Sequence, residues 1–596
     1  MCGIAGWVGE GPTKQRPIPP NLLQHRGPDG IQQRVYSGPT WSATLHHTRL
    51  AINDLSDAGM QPMPSRCSGL VLCFNGEIYN SPELRRLCQS RGHTFHSSMD
   101  GEVILHLWED EGAEALRHLN GIYGLCVLDT ATGALTLARD PLGVKPLFFA
   151  TDDRGVTFGS EIRAVTDLLD VPCHEDVRGL AAFLTFLWVP APWTPLREVH
   201  QLRPGEVLTW SPREPTRVHP GVHRLELPDE LRRPSREQAA AELHRHLTAA
   251  TQRQLLSDVP IGIMASGGVD STLLWHYAGS RLTRAYTIDS PEGTEGLDED
   301  TRAASLYAAR TGTPLDLVPP PEPTSVVARS GDLLADPSFL LVGSIAARAR
   351  ATEIKVLLSG QGGDELLGGY RRHTAALILQ RSRGLRRLLQ WGPNLRDRGG
   401  SMRYEYAQRL HKAARQGTDF NAYASLLTYS DARERAAALD VDEQEADDDV
   451  VLQEHRRAWE QMPTSWSFAK RAVTLDLLVY LPGLGLSYVD RAAMEHGVEV
   501  RVPWLDLDMV RWALQLDPCV FLGLRRKIPA LDLSKSCLPH FVWCRPKRGF
   551  GVGRESLPSN GHGASRRTQY INLAMASLQL RLDQTDKSRA KQADAS

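Results

Sequence analysis

Hydrophobic positions along the chain follow two different periods. In residues 1–205, short apolar and β-branched runs are separated by Gly, Pro, Asn and Asp. The runs Gly69–Phe74 and Tyr123–Leu128 are bounded by turn formers and predict strands. Leu84–Gln89 and Gly101–Glu109 repeat their apolar residues at helical spacing. Strands mixed with helices predict a layered α/β or α+β unit over 1–205. Residues 206–238 are polar, charged and punctuated by proline, and read as a linker with room for one short strand. From Ala239 helical spacing resumes. Strand-like runs at Ile261–Met264, Ala285–Ile288, Leu315–Val318 and Val356–Leu358 then alternate with helical stretches. That alternation predicts a parallel sheet covered on both faces by helices, with ligands at the carboxyl ends of its strands. The last third reads as mostly helical. Residues 556–596 lose periodicity and read as a polar, disordered tail.

Composition narrows the picture. The 596 residues carry 41% hydrophobic and 23% charged side chains, the balance of a soluble globular chain of more than one domain. The 68 basic and 70 acidic residues leave a net charge of −2, which gives no electrostatic footprint for nucleic acid or an anionic membrane. No apolar run is expected to span a bilayer. The start, MCGIAGWVGEG, lacks the basic and apolar segments of a signal peptide. Nine cysteines without a CxxC pair fit reduced thiols and a cytoplasmic location.

Two glycine-rich stretches carry candidate chemistry. In Ile261–Thr272 (IGIMASGGVDST) an apolar run ends in Ser266-Gly267-Gly268 and a helical pattern begins. Glycines allow a tight turn and close approach to a ligand, and the free N–H groups of the following helix suit phosphate oxygens. No Gly-Lys-Ser/Thr follows, so this is not a Walker loop. The second stretch is Leu357–Tyr370 (LLSGQGGDELLGGY). Asp270, Asp364 and Glu365 beside a polyphosphate suggest Mg²⁺, which takes oxygen ligands. Either loop alone would read as a glycine-rich turn with solvated carboxylates. Two such loops, each following a strand-like run, favour a nucleotide site.

SGGVDS resembles the pyrophosphate loop of the ATP pyrophosphatases, and SGQGGDELLGGY resembles the second loop of the asparagine synthetases. Six motifs in order upstream, MCGIAG, HRGPDG, RLAIND, FNGEIYN, RDPLGVKP and GSEI, resemble the class II glutamine amidotransferase domain. The late segments Asp490-Arg491, EVRVPWLD and RPKRGF agree with the same family. The resemblance implies an N-terminal-nucleophile (Ntn) hydrolase four-layer sandwich over 1–205. It also implies an ATP pyrophosphatase domain with added helices over 239–555. It implies glutamine, ATP with Mg²⁺, and aspartate or another small carboxylic acid as ligands, and it allows a homodimer.

The same resemblance assigns the sites. Cys2 becomes the nucleophile once Met1 is removed, and its free α-amine, with a pKa near ~7.7–8, serves as base for its own thiol. Asn75 and Gly76 offer two donors to the developing oxyanion. Arg49, Leu50, Ala51, Ile52 and Asn53, with Glu77 and Asp100, complete the glutamine site; Arg49 takes the α-carboxylate. His47 reads as structural. Met264, Ser266, Gly267, Gly268, Asp270, Ser271, Ile288, Ser359 and Gly360 are the implied ATP contacts, with Asp270 and Asp364 on the metal. Lys527 reads either as a phosphate-binding catalytic residue or as one cation of a surface Arg-Arg-Lys run. Two departures stand out. The spacer Gly11–Pro20 holds four prolines and is expected to be extended. Gln361 stands where the asparagine synthetases have a glutamate, so a catalytic position has lost its charge. The expected activity is therefore ATP-dependent amidation of a carboxylate through an acyl-AMP, with aspartate as acceptor. One alternative is another acid in a secondary-metabolite or cell-surface pathway. A non-catalytic scaffold or ligand sensor is the alternative of a different class.

Overall fold

The computed structural model describes residues 2–11, 17–289, 297–321, 332–381, 386, 389, 402–523, 525–545 and 572–578. Twelve strands build the first unit: β1 (Gly3–Glu10), β2 (Gly30–Ser37), β3 (Trp41–Arg49), β4 (Met63–Pro64), β5 (Leu70–Ile78), β6 (Gly121–Asp129), β7 (Leu135–Arg139), β8 (Phe148–Asp152), β9 (Gly155–Gly159), β10 (His200–Gln201), β11 (Glu206–Trp210) and β12 (Arg217–Pro220). They form two sheets, ordered β10-β8-β9-β1-β3-β2 and β12-β11-β7-β6-β5-β4, antiparallel throughout.

Successive side chains on a strand point to opposite faces, and both faces here are apolar. On β5, Val71 and Cys73 meet Ile4, Trp41 and Leu45 of the other sheet. Leu70, Leu72 and Phe74 meet Val103, Ile104 and Leu107 of the helix Glu102–Glu111. The helix Ile162–Thr166 covers the outer face of the first sheet through Ile162 and Val165 on Phe148 and Ala150. The order is helix, sheet, sheet, helix, the four-layer sandwich expected. Two sequence readings shift. β11 and β12 lie inside the expected 206–238 linker but pair with β7 and with each other, because Val207 and Leu208 have apolar faces to bury. Of the proline-rich spacer, residues 12–16 lie outside the described residues. Ile18 beyond them is buried with Leu22 and Leu23 against Ala5 and Ala164.

The second unit holds five parallel strands: β13 (Ile261–Met264), β14 (Leu282–Ile288), β15 (Leu315–Val318), β16 (Val356–Leu358) and β17 (Glu499–Arg501). Their order is β15-β14-β13-β16-β17. The chain moves outward from β13 in one direction, then returns to lay β16 on its other side. The carboxyl ends of β13 and β16 thus flank a topological switch point, where doubly wound sheets bind ligands. Alternate residues feed two cores. Ile261, Ile263, Val356 and Leu358 join one, Met264 and Leu357 the other.

Two further expectations are corrected. The helix Phe468–Met494 is long and apolar enough to cross a bilayer by length and composition, yet 72% of its most apolar window is buried inside the fold. Its apolar residues divide between the two cores, Leu475, Leu484 and Val489 in one and Leu477, Leu481 and Leu486 in the other. Within the expected tail, residues 572–578 form a helix that buries Leu573, Ala574 and Leu578 in the large core. The tail from Arg581 lies outside the described residues.

The two units share a core. Leu50, Ile52, Tyr79, Ile122, Leu142 and Val144 of the first pack into the cluster built on β13 and β16 of the second. Buried charges cross the same boundary. Asp490 accepts from Arg26 Nη2 (2.8 Å) and from Lys145 Nζ (3.3 Å), with all three side chains buried. Burial would raise the Asp490 carboxyl, but Arg26 and Lys145 hold it below its usual value. Removing one partner leaves a desolvated charge behind. Asp490→Ala should therefore lower the stability read from the urea unfolding midpoint by about 3–5 kcal/mol. A midpoint within error of wild type would mean that water or backbone replaces the carboxylate.

Candidate functional site

Two sites emerge, one in each unit. In the first, Cys2 precedes β1 and is buried. Its backbone N–H donates to Asn75 Oδ1 at 3.0 Å. The other end of that amide, Asn75 Nδ2, is buried and has no partner among the described residues. Gly76 follows on β5, where a Cβ would lie 2.0 Å from the Ile122 carbonyl of β6, so only glycine fits. Burial pushes the Cys2 thiol above its usual value, against the amino-terminal charge, the Leu50 backbone and Arg49, which pull it down.

The segment after β3 closes this site. The Arg49 guanidinium donates to the carbonyls of Ser56 (2.6 Å) and Asp54. Ala51 N–H donates to Asp29 Oδ2, and the Ile52 carbonyl accepts from the Asp258 N–H of the second unit. Asn53 Nδ2 donates to Glu77 Oε2 at 2.6 Å. Asp100 Oδ2 accepts the Ile78 N–H at 2.6 Å, and burial lifts its carboxyl to about 6. His47 is a core residue of β3, neutral because burial depresses its imidazole to about 3.

One participant in this region is supplied by the other unit. Arg501, at the end of the edge strand β17, is fully buried and pairs with Glu77 Oε1 at 3.1 Å and Glu499 Oε1 at 2.5 Å. Its Nη1 donates to the carbonyls of Gln254 and Leu256. The sequence places Arg501 in EVRVPWLD, but nothing local ties it to Glu77, more than 400 residues away.

The second site lies at the switch point. A cavity of ≈ 720 Å³ is lined by Met264, Ser266, Gly268, Asp270 and Ser271 from the first loop, and by Ser359, Gly360, Gln361 and Asp364 from the second. Gly267 has φ +65°, and a Cβ there would lie 2.5 Å from the Asp300 carbonyl. Gly268 caps the ten-residue helix Val269–Ala278, whose first N–H groups face the cavity end. The loops touch. A Cβ on Gly360 would lie 2.9 Å from Ser271 N, and one on Gly363 3.0 Å from Asp270 Oδ1. Lys527 Nζ bonds Asp270 and, at 2.8 Å, Asp364, and these carboxylates raise its ammonium above the usual value despite burial. Lys527 is thus buried in the site and is no member of a surface run. Two hard oxygen donors converge where a cation already sits, which suits the pair to Mg²⁺ as well.

Gln361 is fixed from two sides. Its Oε1 accepts from Tyr488 OH at 3.4 Å, and a Cβ on Gly485 would lie 2.4 Å from its Nε2. Two expected ATP contacts do not line the cavity. Gly267 turns its carbonyl to Arg545, and the Ile288 carbonyl accepts from Thr301, leaving Thr287 on the wall. Tyr488, Trp543 and Arg545 line it without having been expected in a site role. Of RPKRGF, only Arg545 is among the described residues.

Residues 242–580 match the asparagine synthase family model, and residues 1–219 match the glutamine amidotransferase domain. The chain belongs to the asparagine synthase family. It is a glutamine-dependent ligase, with the amidotransferase and synthase units in one chain. A Mycobacterium tuberculosis protein with the name "Putative asparagine synthetase [glutamine-hydrolyzing]" is 29% identical over 93% of this chain and 87% of its own. Asparagine synthetase 1 of Bacillus subtilis is 25% identical over the same shares, 93% and 87%. The Brassica oleracea asparagine synthetase is 28% identical over 62% of this chain and 60% of its own.

Arg501 makes the joint between the units sensitive to pH. The amino-terminal charge and Arg501 overcome burial and hold the Glu499 carboxyl at about 2, below the ordinary 4.5. A depressed carboxyl stabilises the fold above its unfolded pKa, and that contribution disappears as pH falls towards the folded value. Arg501→Met should therefore lower stability at pH 7 by about 2 kcal/mol or more. Its gap to wild type should narrow as urea unfolding is repeated from pH 4.5 downwards. An equal gap at pH 4 and pH 7 would count against a charge-dependent contribution.

Proposed function

We propose that the chain converts aspartate to asparagine, using ATP to form an acyl-AMP and ammonia released from glutamine. The observation that carries the reading is the Cys2–Asn75 pair, with an unpartnered amide donor beside a buried thiol. With Met1 removed, the Cys2 α-amine accepts the thiol proton. The thiolate attacks the glutamine amide carbon, and Asn75 Nδ2 and the Gly76 N–H receive the oxyanion. Ammonia leaves, and water releases glutamate from the thioester. Arg49 orients the α-carboxylate, and Glu77 with Asp100 orients the α-amine.

In the second unit, Ser266, Gly268 and Ser271 bind the pyrophosphate portion, and Met264, Ser359 and Gly360 bind the adenosine. Gly267 and Ile288 shape the loop and strand end behind them. Asp270 and Asp364 would hold Mg²⁺, which neutralises phosphate charge when bound. Lys527 then turns from these carboxylates to the phosphates, as a compact positive charge.

A second reading has its own support. Gln361 is neutral, hydrogen-bonded to Tyr488, and shares its cavity with Val342, Ile345 and Val489. Such a wall favours an acceptor acid with a less charged body than aspartate.

Two experiments test these readings. Cys2→Ala should abolish glutamate release while leaving amide formation from free ammonia within about twofold of wild type. Loss of both in a folded variant would overturn the division into two sites. Asparagine formation by wild type and Gln361→Glu separates the acceptors. If aspartate is the acceptor, wild type makes asparagine and the glutamate variant equals or exceeds it. For another acid, the added carboxylate repels the acceptor by about 4 kcal/mol at 4 Å in an effective dielectric of ~20. Asparagine then forms with neither protein.

A further inference from the structure

Outside both sites, the first unit gathers two imidazoles and three carboxylates at one place. His93 lies just after the helix Ser81–Ser90, and His106 and Glu109 lie three residues apart on the helix Glu102–Glu111. One donor atom from each of His93, His106 and Glu109 lies within 4.8 Å of the other two. His106 Nδ1 is 3.0 Å and His93 Nδ1 is 3.3 Å from the same oxygen, Glu109 Oε2. Ligands at zinc bond lengths of about 2.0–2.1 Å, arranged tetrahedrally, stand about 3.4 Å apart. The separations from Glu109 are already close to that value.

The groups behind these three residues point the same way. His93 turns its second nitrogen, Nε2, to Asp110 Oδ1 at 2.9 Å, while His106 Nε2 faces Glu102 Oε1 at 3.8 Å, beyond hydrogen-bond distance. The other Glu109 oxygen, Oε1, accepts from Ser65 and from Ser68 (2.9 Å). Carboxylates on the far side of ligating histidines fix ring orientation and raise basicity in metal sites. Side-chain exposures of 18%, 12% and 9% for His93, His106 and Glu109 leave the cluster reachable but partly enclosed. Arg91 pairs with Asp110 Oδ2 and Glu111 rather than with Glu109.

We infer that His93, His106 and Glu109 form a binding site for a divalent transition metal of the zinc class, with water completing the coordination. The two Nδ1 atoms and Glu109 Oε2 are the ligands. The site would tie the loop that begins at His93 to the helix Glu102–Glu111. That loop delivers the Ser98 N–H to Asp54 Oδ2 and ends at Asp100. Bound metal would thus stiffen one wall of the first site without touching the reacting atoms.

The test uses full-length protein with saturating Mg²⁺ and Zn²⁺ as the probe, followed by equilibrium dialysis and metal analysis. Wild type should hold one more equivalent of Zn²⁺ than His93→Asn or His106→Gln. Asp110→Asn, which leaves all three ligands in place, should weaken binding about 10–100-fold. Co²⁺ in place of Zn²⁺ should give the visible absorption of a tetrahedral nitrogen–oxygen site in wild type and lose it in His93→Asn. His93 lies in a loop, so its variant is expected to fold, and circular dichroism checks this. Equal Zn²⁺ binding by folded wild type and His93→Asn would overturn the inference, as would Co²⁺ spectra that do not differ between them.

Discussion

Buried charge at the boundary between the two units is the constraint on which the rest depends. Asp490 reaches from the long apolar helix of the second unit into the first, to Arg26 and Lys145. Arg501 reaches from the edge of the parallel sheet to Glu77. Charges removed from water are costly unless their partners are placed well. These pairs therefore tolerate little rotation or sliding of one unit against the other. The apolar contacts of Leu50, Ile52, Tyr79 and Val144 give the same boundary its attractive area, while the ion pairs select its geometry.

That geometry has a chemical consequence. Glu77 lies next to Asn75 and Gly76 on β5, and its environment is completed by a guanidinium from the other unit. Arg26 belongs to HRGPDG and Lys145 to RDPLGVKP, two motifs of the first unit. Lys145 donates to Asp490, and Arg26 links Asp490 to the Cys2 carbonyl and to Glu161. Part of what looks like an amidotransferase signature is thus the surface by which that unit meets its partner.

Much of both sites was legible because their chemistry is local. Ser266-Gly267-Gly268 needs a turn that only glycine makes easily, followed by exposed helix N–H groups, and both are coded within a few residues. Cys2 and Asn75 stand in short motifs with fixed residue types, and the fold brings them within hydrogen-bond distance. Lys527 was ambiguous because a lysine in an Arg-Arg-Lys run is usually solvated. Its burial follows from a left-handed turn at φ +55° that aims it at two aspartates far away in the chain. β11 reads as linker because Val207 and Leu208 find partners only in a sheet formed much earlier, and β12 does so because it is exposed along its whole length and carries no apolar pattern.

The sequence by itself determined the two periods, the order of units, the loops that follow β13 and β16, and the residue types of a glutamine-dependent ligase. These rest on neighbours within one turn or one strand, where residue type dictates backbone. Tertiary structure decided which side chains share a site. It brought Arg501 to Glu77, Lys527 between Asp270 and Asp364, and Tyr488 against Gln361. It also sank the helix Phe468–Met494 and residues 572–578 into the core. Those outcomes depend on strand order and on which desolvated groups find partners. Such pairings across hundreds of residues leave no periodic trace in the chain.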